Sequence, residues 1–187
     1  MKKQPKLILI IITLLFAFTL SDDENTTTAR KLVKEFGTQL KGELMNGMKQ
    51  DGATEAIEVC YSRAPQIAQQ LSDSTSWEIG RTSLKIRNSN NAPDDWERSV
   101  LEDFEKKLKD GIDINTLEYT ETVKIGDAEY FRYMKAIPTS SVCLNCHGSN
   151  IKEPVKEKIS DLYSDDKAVN YKKGEIRGAF TLAKNIK

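Results

Sequence analysis

The run Cys143-Leu144-Asn145-Cys146-His147 constrains this chain more than any other feature of its sequence. A C-x-x-C-H pattern is typical of a c-type haem attachment site, where two thiols add to the porphyrin vinyl groups and the adjacent histidine binds iron. The sequence therefore predicts one covalent haem c. We expect Cys143 and Cys146 to form its thioethers and His147 to be the proximal iron ligand.

A redox disulfide is a second interpretation of a C-x-x-C pair. The thioredoxin-like motif opens a helix directly after a strand of a βαβ unit. Here Pro138 and Ser140 precede the pair and Gly148 follows it, which matches that context poorly. A thioredoxin-like site is therefore disfavoured.

A zinc site is a third interpretation, because Cys60, Cys143, Cys146 and His147 form a formal Cys3His set. Structural zinc is bound tetrahedrally by four such ligands. The adjacent side chains of Cys146 and His147 would both have to converge on one small ion, and that arrangement is strained. The haem interpretation is favoured over zinc.

The N-terminal segment predicts export. Lys2, Lys3 and Lys6 precede a run over residues 7–20 that is apolar apart from Thr13 and Thr19 and has no charge, and an acidic stretch follows at once. This run fits a secretory signal better than a membrane span, which needs about 20 apolar residues. We expect residues 1–20 to be a signal peptide or an uncleaved anchor, and residues 21–28 a polar tether. The protein is then periplasmic or anchored on the outer face of the inner membrane, touching the membrane only through this segment.

The composition suits one globular domain over residues 29–187. The chain has 187 residues, of which 39% are hydrophobic and 30% charged, and its formal net charge is zero. Without residues 1–20 the count is 25 basic against 28 acidic residues. Because the chain has no basic stripe and no net positive charge, nucleic acid is not expected as a partner.

Hydrophobic periodicity predicts an α+β fold. Apolar residues at every fourth position from Leu32 to Met48 indicate a helix over 29–50, and a second helix runs from Ala53 toward Ala64. Pro65 should end or kink that second helix. Further patterns indicate strands over 77–87, 119–125, 130–137 and 175–183, and helices over 93–111 and 154–162. This order of elements predicts an antiparallel sheet covered by helices.

The second axial ligand stays open from the residues alone. His147 is the only histidine, so bis-histidine ligation within the chain is excluded. Met134 precedes the motif, although strand periodicity places it in the sheet core. Cys60 is a spare thiol on a helix face with alanines one turn away on both sides, and ferric iron would hold it as thiolate. It can equally be a small unligated core residue.

Several segments together resemble one family. They are residues 55–57 with Cys60, 64–68, 81–88, 91–97, 143–148, and 166–168 with 171 and 174–179. The chain is similar to exported c-type haem domains with a PAS-like fold, described from a cyanobacterial protein and also found as sensory modules on signalling chains. The resemblance implies a PAS-like antiparallel sheet covered by N-terminal helices, a haem between helices and sheet, and iron ligated by Cys60 and His147. Ser89 and Ser164 replace expected prolines, which leaves the ligands untouched.

These features predict a redox-sensing protein. Iron held by thiolate and imidazole is closed to substrate and low in potential. We expect reduction to release Cys60, which would let a diatomic ligand bind and would signal to an unidentified redox or signalling protein. A simple periplasmic electron carrier is the alternative. An enzyme such as a peroxidase is disfavoured because no second histidine can act as acid or base, and Glu55, Glu58 and Arg63 are typical solvated helix charges.

Overall fold

One long helix, α1 (Lys6–Gln50), opens the fold. The computed structural model describes the backbone of residues 6–187 and the side chains of residues 23–187. The predicted signal segment, residues 1–20, lies outside the part whose side chains are described. Among the described residues, no helix combines the length and the hydropathy needed to cross a membrane.

Three further helical segments follow α1 and lead into the sheet. They are α2 (Ala53–Glu58), a π-helical turn (Val59–Arg63) and α3 (Ala64–Asp73). The remaining elements are β1 (Glu78–Thr82), α4 (Asp95–Lys109), β2 (Glu118–Ile125), β3 (Ala128–Pro138), α5 (Leu144–His147), α6 (Glu153–Leu162) and β4 (Ile176–Asn185). The four strands pair antiparallel in the order β1-β4-β3-β2. The predicted α+β, PAS-like antiparallel sheet with N-terminal helices is confirmed.

The sheet is covered on both faces, and alternate residues of β3 face opposite ways. Tyr133 belongs to the cluster that packs α1 and α3 on one face, with Ala29, Leu32, Phe36, Ile67, Leu71, Trp77, Ile79, Phe131 and Leu182. Met134 belongs to the cluster under α4 on the other face, with Val100, Leu101, Phe104, Leu117, Ala136, Ile176 and Ala179. The prediction that Met134 is a core residue is confirmed, since none of it is exposed.

Three segments differ from the sequence-based expectation. Residues 21–28, expected as a tether, continue helix α1, and the buried Asn25 accepts a hydrogen bond from Lys184 Nζ at 3.0 Å. The strand expected over 77–87 ends at Thr82, because Ser83 turns out of the sheet and donates its hydroxyl to the Arg177 carbonyl at 2.8 Å. The helix carrying Cys60 does not end near Pro65 but widens into a π-helical turn and continues as α3.

Strand β4 approaches β1 closely at Gly178. The pairing of β3 with β4 shifts between Ile137 and Pro138, and this leaves Arg177 as the extra residue of a β-bulge. A Cβ atom added at Gly178 would lie 2.3 Å from the Thr82 carbonyl oxygen. Only glycine therefore fits at this crossing, and the bulge beside it sets the direction of Arg177.

We expect Gly178→Ala to lower the free energy of unfolding by about 1–3 kcal/mol, the usual cost of forcing extra atoms into a packed site. Gly42→Ala is the matched control, because a Cβ at Gly42 meets no atom within 4 Å. That exposed helical site should gain up to about 1 kcal/mol from alanine. Urea unfolding of both variants tests the difference, and equal effects at the two sites would contradict the close crossing.

Candidate functional site

A cavity lies between the N-terminal helices and the end of the sheet where β1 stops. Cys60, Cys143, Cys146 and His147 all line it, although more than eighty residues separate Cys60 from the other three. Its empty space, including the part open to solvent, is about 1090 Å³. The structure thus brings together the four residues of the predicted haem site.

Several lining residues were not recognised in the sequence. Leu40, Leu44 and Met48 form an apolar wall on α1, and Tyr163 closes another side. The four-residue stripe on α1 pointed to a single buried face, but only its first half packs in the sheet core. The second half faces the cavity. The sequence did hold a signal for this, because the apolar stripe on α1 is longer than one packed sheet face needs.

The C-x-x-C-H segment is a short, continuous helical segment. A 3₁₀ turn (Ser141–Cys143) leads into α5, so Cys143 and Cys146 lie about one turn apart on the same side. Both thiols are free. The segment ends at Gly148. Only glycine fits there, because an added Cβ would lie 2.6 Å from the Leu144 carbonyl oxygen. This geometry holds both thiols and the imidazole at one wall of the cavity.

The imidazole of His147 is oriented by a backbone hydrogen bond. Its Nδ1 lies 2.7 Å from the Ala168 carbonyl oxygen. Because a carbonyl can only accept, Nδ1 carries the hydrogen and Nε2 keeps a free lone pair. Burial lowers the pKa of His147 well below its usual value, and the nearby Arg177 and Arg87 lower it further. The ring is therefore the neutral tautomer that binds a metal through Nε2.

A buried ion pair, Arg87 with Asp166, fixes that arrangement. The side chains are only 8% and 11% exposed, and Arg87 Nη2 lies 2.9 Å from Asp166 Oδ2. The same nitrogen donates to the carbonyl oxygens of Cys146 at 2.6 Å and Ala168 at 3.2 Å. Asp166 Oδ1 accepts from the Ala168 amide at 2.9 Å. One ion pair thus positions both the haem-motif backbone and the carbonyl that orients His147.

Cys60 reaches the cavity from the π-helical turn. Within this turn the amide of Ala64 donates to the carbonyl of Val59, five residues back. The ring of Pro65 would clash with the Tyr61 carbonyl in a regular α-helix, and the wider turn relieves that clash. Burial raises the pKa of the Cys60 thiol, whereas Arg81, Arg87 and Arg177 oppose the rise. The free thiol is protonated, in surroundings that favour a thiolate once a metal is bound.

The other candidate chemistries find little support in this cavity. Within residues 23–187, no group of three or more His, Cys, Asp or Glu side chains is close enough to hold a metal ion. A Cys3His zinc centre is therefore not assembled. Met134 lies on the far face of the sheet, whereas Met48 lines the cavity and is the one additional sulfur donor among its lining residues.

Two of the helix charges considered for acid or base catalysis, Glu58 and Arg63, lie in surface ion pairs. Glu58 pairs with Lys158 at 2.8 Å, and Arg63 pairs with Glu43 at 3.2 Å. No carboxylate is among the described residues that line the cavity. The cavity thus presents thiols, one imidazole, aliphatic side chains and guanidinium groups.

This donor set fits a haem. Two thiols stand on one helical turn beside a neutral imidazole, and a third thiol comes from a separate element of the same cavity. Aliphatic side chains from α1 and α2 supply the apolar contacts that a porphyrin ring needs. Cys143 and Cys146 would hold the ring covalently, and His147 with Cys60 would be placed to bind its iron.

We expect Arg87→Gln to lower the free energy of unfolding by about 3–5 kcal/mol, because it leaves the Asp166 carboxylate buried and unpaired. Arg63→Gln removes an exposed ion pair and should cost no more than about 1 kcal/mol. In Arg87→Gln, hydrogen exchange should also accelerate at the Tyr171 amide, which donates to the His147 carbonyl at 2.9 Å. Similar losses in both variants would contradict the central role of this ion pair.

Comparison with known proteins identifies the family. The model of the Tll0287-like family (Tll0287) matches residues 15–184. No curated protein matches the chain. The crystal structure of the cyanobacterial heme-protein Tll0287 is similar, with a TM-score of 0.66 and 19% identity over 88% of this chain and 96% of that chain. That likeness shows a shared fold, and the family model extends over nearly the whole sequence. The chain belongs to the Tll0287-like family.

Proposed function

We propose that this protein is an exported mono-haem c-type protein that senses redox state through iron ligated by His147 and Cys60. The observation that carries the proposal is the single cavity lined by Cys60 and by the C-x-x-C-H segment. The solved structure that shares its fold is that of a heme-protein, which supports haem as the cofactor. Export rests on the basic and apolar pattern of residues 1–20.

Each of the four site residues would have a separate role in binding a haem. Cys143 and Cys146 anchor it through two thioether bonds. His147 is presented in one tautomer and one orientation by the Ala168 carbonyl. A thiolate at Cys60 donates charge to the metal and lowers its potential. When bound, the haem supplies an iron that accepts and releases one electron.

The release of Cys60 is the proposed signal. If a partner protein supplied an electron to the bound group, the Cys60 thiolate would be held less strongly by the metal. Cys60 takes a proton from solvent and returns to the neutral thiol, the form favoured by burial. The π-helical turn is a suitable place for this change, because such turns are frequent at functional sites.

The Cys60 segment packs tightly on α1, so a movement of Cys60 could be transmitted to that helix. A Cβ atom added at Gly47 would lie 3.2 Å from Val59 Cγ2 and 3.3 Å from Ala56 Cα. On the other side, Ile57 packs in a cluster with α6, formed by Ile151, Val155, Ile159 and Tyr163. A shift of Cys60 therefore has to displace α1 or α6.

The ligand assignment predicts distinct effects of three sets of substitutions. Cys143→Ser with Cys146→Ser should abolish covalent haem on a denaturing gel. Cys60→Ala should keep covalent haem but lose the low-spin thiolate signal in electron paramagnetic resonance. Met48→Leu, the control for the other sulfur in the cavity, should keep that signal. A signal that survives Cys60→Ala would contradict the assignment, and one lost only in Met48→Leu would transfer the role to Met48.

Redox sensing predicts a structural difference between the oxidised and reduced proteins. Amide exchange over residues 44–63 should be faster in the reduced wild type than in the oxidised form, because Cys60 no longer restrains the π-helical turn. In Cys60→Ala the two oxidation states should exchange alike. A simple electron carrier would show equal exchange in both states of the wild type, and that result would replace the sensor proposal.

A further inference from the structure

Three guanidinium groups line the cavity, and only one of them is neutralised by a carboxylate. Arg87 is paired with Asp166 and also donates to two backbone carbonyls. Arg81 and Arg177 form no ion pair with any carboxylate among residues 23–187. The cavity therefore holds two cations in excess, with no acidic side chain in its lining.

Both of these cations are held in place by packing. The guanidinium of Arg81 lies 5.8 Å from the Phe36 ring centroid, and that of Arg177 lies 5.4 Å from the Tyr171 ring centroid. Arg177 Nη1 also donates to Ser83 Oγ at 3.2 Å. Burial lowers the pKa of both arginines, as expected for cations kept from water without a nearby anion.

Arg81 and Arg177 are half-buried, and cations that are partly removed from water without a counter-ion are costly unless a ligand supplies the missing charge. A haem carries two propionate carboxylates. With ferric iron in the porphyrin dianion and one thiolate ligand, the remaining charge of the group is that of these two propionates. Two unpaired guanidinium groups match this charge in sign and in number.

We propose that Arg81 and Arg177 bind the two haem propionates, while Arg87 does not contact them. This inference rests on the proposed function and deepens it by setting the orientation of the haem in the cavity. A guanidinium is the side chain best suited to this role, because its planar fork matches a carboxylate with two parallel hydrogen bonds. Asn88 and Asn91 line the cavity with Arg81 and offer further donors on that side.

The test uses the haem-loaded protein and two readouts other than activity. The propionate bending bands of the resonance Raman spectrum should shift in Arg81→Gln and in Arg177→Gln, and both bands should shift in the double variant. The reduction potential should fall in each variant, because a lost positive charge stabilises the ferric state. Arg63→Gln, whose guanidinium lies outside the cavity, should leave the bands and the potential unchanged.

The outcomes separate this inference from the proposed function. Unchanged propionate bands in all three cavity variants, with covalent haem and the thiolate signal intact, would overturn the inference alone. Absence of covalent haem from the wild type would overturn both. If a glutamine variant fails to fold, Arg81→Lys and Arg177→Lys replace it in the test. These variants keep the positive charge but cannot form the two parallel hydrogen bonds of a guanidinium. The bands should then shift while the potential stays near the wild-type value, and unchanged bands would again overturn the assignment.

Discussion

The buried ion pair between Arg87 and Asp166 is the interaction on which the site depends. It joins three segments that are distant in sequence: the chain after β1, the C-x-x-C-H segment and the loop before β4. Removing two charges from water is expensive, and a buried pair is retained where further hydrogen bonds satisfy its remaining donors and acceptors. Here those bonds go to the carbonyls of Cys146 and Ala168. The Ala168 carbonyl also accepts the hydrogen bond from His147, so the contacts that stabilise the ion pair also orient the imidazole.

The opposite wall of the cavity is built from the N-terminal helices. Helix α1 is anchored in the sheet core by Leu32 and Phe36, and it meets the π-helical turn at Gly47, where no larger side chain fits without displacement. Pro65 explains why that turn is widened, and the widened turn carries Cys60. The two walls also meet, because Ile57 packs with α6 in the cluster against which Cys146 lies. A change at Cys60 would therefore reach α1 through the contact at Gly47, as the proposed redox switch requires.

Much of the fold was predictable because it depends on local periodicity. The strands of the sheet, the α4 stripe and the buried position of Met134 follow from alternation and from four-residue spacing. The motif and the family segments drew attention to Cys60, Cys143, Cys146 and His147. The π-helical turn was not predictable, because a proline can break, kink or widen a helix, and packing decides among these. The direction of Arg177 was also hidden, since it depends on a β-bulge in the pairing of β3 with β4.

We propose that a sulfur and an imidazole nitrogen from separate walls hold the same iron. X-ray absorption at the iron edge of the ferric protein measures this most directly, because sulfur scatters differently from nitrogen or oxygen. The spectrum should show one sulfur neighbour together with the porphyrin and imidazole nitrogens, and that sulfur should be lost in Cys60→Ser. A first shell of nitrogen and oxygen alone in the wild type would contradict it.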